Sequence, residues 1–129
     1  MTHGRYEVYP FDMDKQHRLL HVLATKEHPT RQDVYTLDLD NGEMVRVNRA
    51  AGVYSGAAIS PDGSTALAMH STYGAQRELA LVAVGGRHEV LTDSHPKRTA
   101  KLTEAAPEFF TYHNRHGHEI HGHVFKPDG

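Results

Sequence analysis

Turn signals punctuate this chain at a nearly fixed interval, and the interval leaves room only for short strands. Asn41-Gly42 separates two alternating runs in LDLDNGEMVRV, with Tyr35, Leu37 and Leu39 on one face and Thr36 and Asp38 on the other. In SPDGS at 60–64, Pro61 and Asp62 suit a type I turn and Gly63 is free to take positive φ. Gly85-Gly86 makes a third turn, and HNRHGHE, with Gly117 near its end, a fourth.

The runs between these turns predict strands near 5–9, 18–25, 33–39, 43–48, 54–60, 64–71, 77–84, 87–92, 108–113 and 118–126. ELALVAV (78–84) is apolar on both faces, the pattern of a strand covered on both sides. No segment keeps a long 3.6-residue apolar period; only 96–108 has room for a short helical turn or two before Pro107. DMDKQHR and KEHPTRQD read as solvated hairpin loops. The spacing also repeats: Val34 to Leu79 is 45 positions and Gly42 to Gly86 is 44. Four strands in ~40–45 residues is the period of a β-propeller blade. An antiparallel sandwich is the competing architecture. The expected fold class is all-β, with antiparallel four-stranded sheets of β-propeller type, about two blades, followed by a C-terminal β-hairpin. Two blades do not close a ring of ~4–8, so the chain is expected to be part of a larger assembly.

Charge is nearly balanced, with 14 Lys and Arg against 16 Asp and Glu, which supplies no basic excess for nucleic acid. The absence of Cys rules out disulfides, thiolate zinc sites and a Cys nucleophile. No run of about eighteen apolar residues is present to span a membrane as a helix. The first residues, MTHGRYEVYPFDMDK, have no apolar core of a secretory signal, and with the lack of Cys this favours a cytoplasmic location. A mean hydropathy of −0.60 is polar for a stand-alone domain.

Five of the twelve histidines fall between His113 and His123. HEIH at 118–121 is one residue short of the H-E-x-x-H zinc motif, because position 122 is Gly122, and the flanking pattern is β rather than helical. On a strand, His121 and His123 share a face with Glu119 and Phe125, with His113 opposite as a further donor. A polar strand face without metal is the simpler reading, so no catalytic, cofactor-binding or metal residue is assigned. His21 and His70 are expected to be structural. Tyr6, Tyr9, Tyr54 and Tyr73 are expected to cap blade edges rather than line a ligand site.

The run from Asp33 to Tyr73 resembles the last propeller blades of the prolyl oligopeptidase family of serine peptidases, most closely its dipeptidyl peptidase IV-like branch. Tyr35, Asp38 and Gly42 fit the blade end, and Ile59, Ser60, Pro61, Asp62 and Gly63 fit the turn that opens the next blade. EVLTD at 89–93 matches a strand end of these propellers. Pro107, Glu108, Phe109, Tyr112, Gly117, Ile120, Gly122 and Pro127 then fall in step with the segment entering the family's α/β-hydrolase domain. One departure is His116, where the family usually has an acidic residue before the hairpin Gly; this puts the turn type in question.

The resemblance implies residues 1–93 as two C-terminal blades, 94–107 as a linker and 108–129 as the first hairpin of a truncated hydrolase domain. The family's Ser–Asp–His chemistry needs a nucleophile on a G-x-S-x-G elbow, which this sequence lacks: in GVYSG, Ser55 sits one position late and in a β context. No His-Gly-Gly oxyanion strand occurs either. The expectation is a non-catalytic part of a peptidase, inactive alone. Its propeller would gate peptide access and dock on the hydrolase domain. The expected partners are therefore the remaining propeller, the hydrolase domain and a peptide substrate of the parent, with self-association of the isolated chain through exposed strands. The alternative is a stand-alone β-rich binding or oligomerisation module, metal-loaded through the His-rich hairpin.

Overall fold

The computed structural model describes residues 4–61, 63–94 and 107–126. Ten strands form three antiparallel units: β1 (Val8–Asp14), β2 (Leu19–Ala24), β3 (Asp33–Asp38), β4 (Met44–Arg46), β5 (Val53–Ile59), β6 (Thr65–Thr72), β7 (Ala75–Ala83), β8 (His88–Val90), β9 (Glu108–His113) and β10 (Glu119–Val124). The first sheet has the order β1-β2-β3-β4 and the second β5-β6-β7-β8; β9 and β10 pair as a hairpin. The chain is all-β, built from two four-stranded meanders of propeller-blade type.

The two sheets stack face to face along β5, which lies against β1, β2 and β3. Leu23, Val34 and Val47 of the first sheet bury against Tyr54, Ala66, Ala68 and Val82 of the second. The alanines let the sheets approach closely, and each large apolar side chain sealed here contributes ~1.5–3 kcal/mol. A main-chain stitch completes the seam: Gln32 N–H donates to the Gly52 carbonyl (3.2 Å), and Tyr54 N–H to the Gln32 carbonyl (2.8 Å). The far face of the first sheet carries its own cluster of Val22, Ala24 and Tyr35. The far face of the second is less covered, and its cross-strand pair Leu67–Leu81 remains partly exposed.

The structure moves some expected boundaries. β1 starts at Val8 and runs through Asp12–Asp14, which the charges had suggested were loop. A register shift between Pro10 and Asp12 turns Phe11 into the seam; such a bulge also accommodates a proline. The loop shrinks to Lys15–Arg18, held by Asp14 Oδ1 accepting from the N–H groups of Gln16 and His17. Asn41-Gly42 is not a two-residue turn. Asp38 N–H donates to the Glu43 carbonyl across a longer loop, only Gly42 takes positive φ, and β4 is three residues long. The departure at His116 has a simple resolution. Gly117 N–H donates to the Asn114 carbonyl, and Asn114 Oδ1 accepts from the N–H groups of His116 and His118. Asn114 does what an acidic residue would do, Gly117 supplies the positive φ of 78°, and His116 keeps an ordinary backbone. Residues 95–106, where the linker and its helical turns were expected, lie outside the described residues, as do Asp62 and Pro127.

Candidate functional site

The most organised polar structure lies at the edge of the seam. Asn48, just beyond β4, is buried; its Oδ1 accepts from Val34 N–H (2.7 Å), and its Nδ2 donates to Asp33 Oδ1 (2.7 Å) and to the Ala50 carbonyl (2.9 Å). Asp33 is fully buried and also receives Arg31 Nη2 at 3.0 Å. This clasp pins the end of β4 to the start of β3. The second sheet repeats it. Leu79 N–H donates to Thr92 Oγ1 (2.9 Å), and the Thr92 hydroxyl donates to Glu78, which also accepts from Ser94. Asp33 to Glu78 is 45 positions and Asn48 to Thr92 is 44, the repeat already visible in the turns. The first clasp is sealed by the second sheet; the second is exposed.

Arg31 and Asp33 belong to KEHPTRQD, which had been expected to be a solvated loop. Its second half is instead built into the seam, because Gln32 pairs with the entry to β5. Glu27 is engaged as well, accepting from the Tyr35 hydroxyl at 3.0 Å. The sequence signal for these residues was the acid–apolar step repeated at Asp33-Val34 and Glu78-Leu79.

Tyr54 faces this network from β5. Burial, followed by the nearby Asp33 carboxylate, pushes its hydroxyl up to about 12. Its ring packs on His70 (4.5 Å between centroids), and His88 stands edge-on to His70 at 4.7 Å. His70 Nε2 lies 3.0 Å from the Ala51 carbonyl and so carries its proton there. Desolvation and then His70 lower the pKa of His88. Gly52 is held so tightly between His70 and the Ser71 carbonyl that a Cβ would lie 2.4 and 2.6 Å from them.

Beside Arg31, a cleft of about 400 Å³ opens between the β2–β3 loop, the start of β5 and the end of β6. Arg31, Val53, Thr72, Tyr73 and Phe109 are among its walls.

The histidine-rich hairpin presents two different faces. Glu119, His121 and His123 pair with His113, Thr111 and Phe109, and this face turns toward the sheets. His121 meets His28 edge-on (4.8 Å), and His123 packs on Tyr73 (4.7 Å). The other face carries Phe110, Tyr112, Ile120 and Val124, of which Phe110, Tyr112 and Val124 are exposed. His121 contacts Glu119 at 3.3 Å, but among the described residues no group of three or more His, Asp or Glu is arranged to hold a metal ion.

The four tyrosines singled out in the sequence do not converge. Tyr54 is in the seam, and Tyr6 reaches Met44 on the far face of the first sheet. Tyr9 is exposed and donates to Glu7, while Tyr73 sits in the β6–β7 turn against the hairpin. His21 and His70 are structural, as expected: His21 is buried at the seam with Thr36 Oγ1 at 3.2 Å. Ser55 lies inside β5 with no helix after it, so it forms no nucleophile elbow.

The profile of the family described as the dipeptidyl peptidase IV (DPP IV) N-terminal region matches residues 1–77. Among solved structures, the crystal structure of Porphyromonas gingivalis dipeptidyl peptidase 4 is similar over 98% of this chain, with a TM-score of 0.76 and 17% sequence identity. The chain spans 18% of that protein's length. No curated protein matches the chain.

Proposed function

The chain belongs to the dipeptidyl peptidase IV N-terminal region family, and from that membership we propose that it is the non-catalytic propeller part of a dipeptidyl peptidase IV-like serine peptidase. It contributes two blades that limit entry to peptides and a hairpin that docks on the hydrolase domain. One observation carries the docking role: the hairpin and the residue after it keep Phe109, Phe110, Tyr112, Val124 and Phe125 exposed. An apolar surface of this kind is what a hydrolase sheet would cover. The repeated clasp, sealed in the first sheet and open in the second, supports a further blade or domain continuing the stack. Water exclusion over the active site is the physical benefit of such a cap. The nucleophile, its base and the oxyanion donors are then supplied by other parts of the parent.

The reading frame past the codon for Gly129 tests this. A continuation encoding His-Gly-Gly and, further on, G-x-S-x-G is the expected result. A continuation without either motif would exclude a serine-peptidase parent.

A further inference from the structure

We propose that the 129-residue chain pairs with a second copy of itself through the outer face of the second sheet, the same face of each copy meeting across a two-fold axis. The main-chain bonding behind this repeats from sheet to sheet. Val47 N–H donates to the Val34 carbonyl (2.8 Å), and Leu91 N–H to the Leu79 carbonyl (2.7 Å). Leu23 lies opposite Val34 across β2 and β3, and Met69 lies opposite Leu79 across β6 and β7. Met69, Leu79 and Leu91 therefore hold in the second sheet the places that Leu23, Val34 and Val47 hold in the first. Those three residues of the first sheet form its half of the seam. The two sets differ in what covers them. Val47 is 1% exposed and Leu91 is 46% exposed. The second sheet thus repeats a docking face, and among the described residues no sheet seals it.

This face is more apolar than the one it repeats. The seam side of the first sheet includes the cross-strand pair His21–Thr36, whereas the equivalent pair in the second sheet is Leu67–Leu81. Leu67, Met69, Leu79, Leu81 and Leu91 consequently share one face. Glu89, on the same face in the edge strand β8, already has Arg87 as its partner. The outer face of the first sheet offers no equivalent opening. Val22, Ala24 and Tyr35 are buried there beneath Tyr6, Leu20 and Met44, and the Tyr35 hydroxyl is bound to Glu27. Head-to-tail stacking of copies therefore lacks an open acceptor. Of the two outer sheet faces, the one that a second copy leaves open is the same leucine-rich face. Two such faces pack ~10 Å apart with their side chains interdigitated. A two-fold pairing closes on itself and ends at the dimer. The second copy takes the place of a further blade, so this pairing belongs to the chain by itself and stands or falls independently of the peptidase proposal.

Sedimentation equilibrium of the unmodified chain is expected to show a mass that rises from monomer to dimer and no further. In a dilution series, the backbone amide resonances of Leu67, Leu79, Leu81 and Leu91 should move together while those of Phe110 and Tyr112 stay fixed. Leu67→Lys combined with Leu91→Lys, at two positions exposed in the single chain, is expected to weaken dimerisation about 100-fold or more. Phe110→Lys combined with Tyr112→Lys on the hairpin is expected to leave it unchanged. The melting temperature of each variant shows whether its fold is kept, and the dilution series of the unmodified chain decides if the leucine variant does not fold. A monomer at every concentration up to about 1 mM, the weak limit of a specific pairing, would overturn the proposal. So would growth past the dimer, loss of the dimer in the hairpin variant, or concentration-dependent resonances confined to the hairpin.

Discussion

At the residue scale, one chemical arrangement occurs in two environments, and its cost of removal should follow burial. Asn48 satisfies the Val34 N–H and Asp33 inside the seam. Asn48→Ala leaves both buried without that partner, and we expect a loss of about 3 kcal/mol in urea unfolding. The corresponding Thr92→Ala removes the same bonds in water-accessible surroundings and should cost under about 1 kcal/mol. Equal losses would mean that the seam does not seal the first clasp. These residues show what a sequence reading captures and what it misses. The repeat of 45 and 44 positions was visible in the turns. The burial of Asp33 was not, because it arises from a sheet that begins twenty residues further on. A run of Lys, Glu, His, Arg and Asp looks solvated until a neighbouring sheet covers half of it.

At the element scale, the seam between the sheets should depend on pH. His21 lies there with Phe11 and Thr36, and burial lowers its pKa against the opposing pull of Asp12 and Asp14. His88 is lowered by burial and by His70. Both imidazoles therefore bind fewer protons in the folded chain than in the unfolded one. Their contribution is fully present above the ordinary histidine pKa of about 6.5 and is lost as pH falls through their lower folded values. The urea midpoint should drop from about pH 7 to about pH 5, the range in which histidine titrates, and His88→Leu should make the drop smaller. A midpoint that is flat over this range in the unmodified chain would contradict the account. Most strands were legible from alternation and from Gly and Pro turns. The second half of β1 was not, because the bulge at Phe11 breaks the alternation and lets charged Asp12 and Asp14 sit in a strand. The hairpin at β9–β10 was legible in full, since Gly117, Ile120 and Gly122 mark its turn and faces locally.

At the scale of the whole molecule, the chain is two propeller-type sheets and a hairpin, with the far face of the second sheet and the hairpin left open. Leu67 and Leu81 lie opposite each other on the second sheet, facing away from the seam. We propose that the isolated chain self-associates through such surfaces, and sedimentation should show a mass that rises with concentration. Leu67→Lys combined with Leu81→Lys should shift it toward monomer, whereas a monomer at every concentration would exclude this association. The family was legible through the order of motifs along the chain rather than through any one site. The most direct measurement is hydrolysis of glycyl-prolyl-4-nitroanilide by two proteins, the 129-residue chain and the product of the reading frame extended both upstream of Met1 and past Gly129. The account predicts turnover by the extended protein and none by the chain alone; turnover by the chain alone, or an extended protein inert toward dipeptidyl substrates, would contradict it.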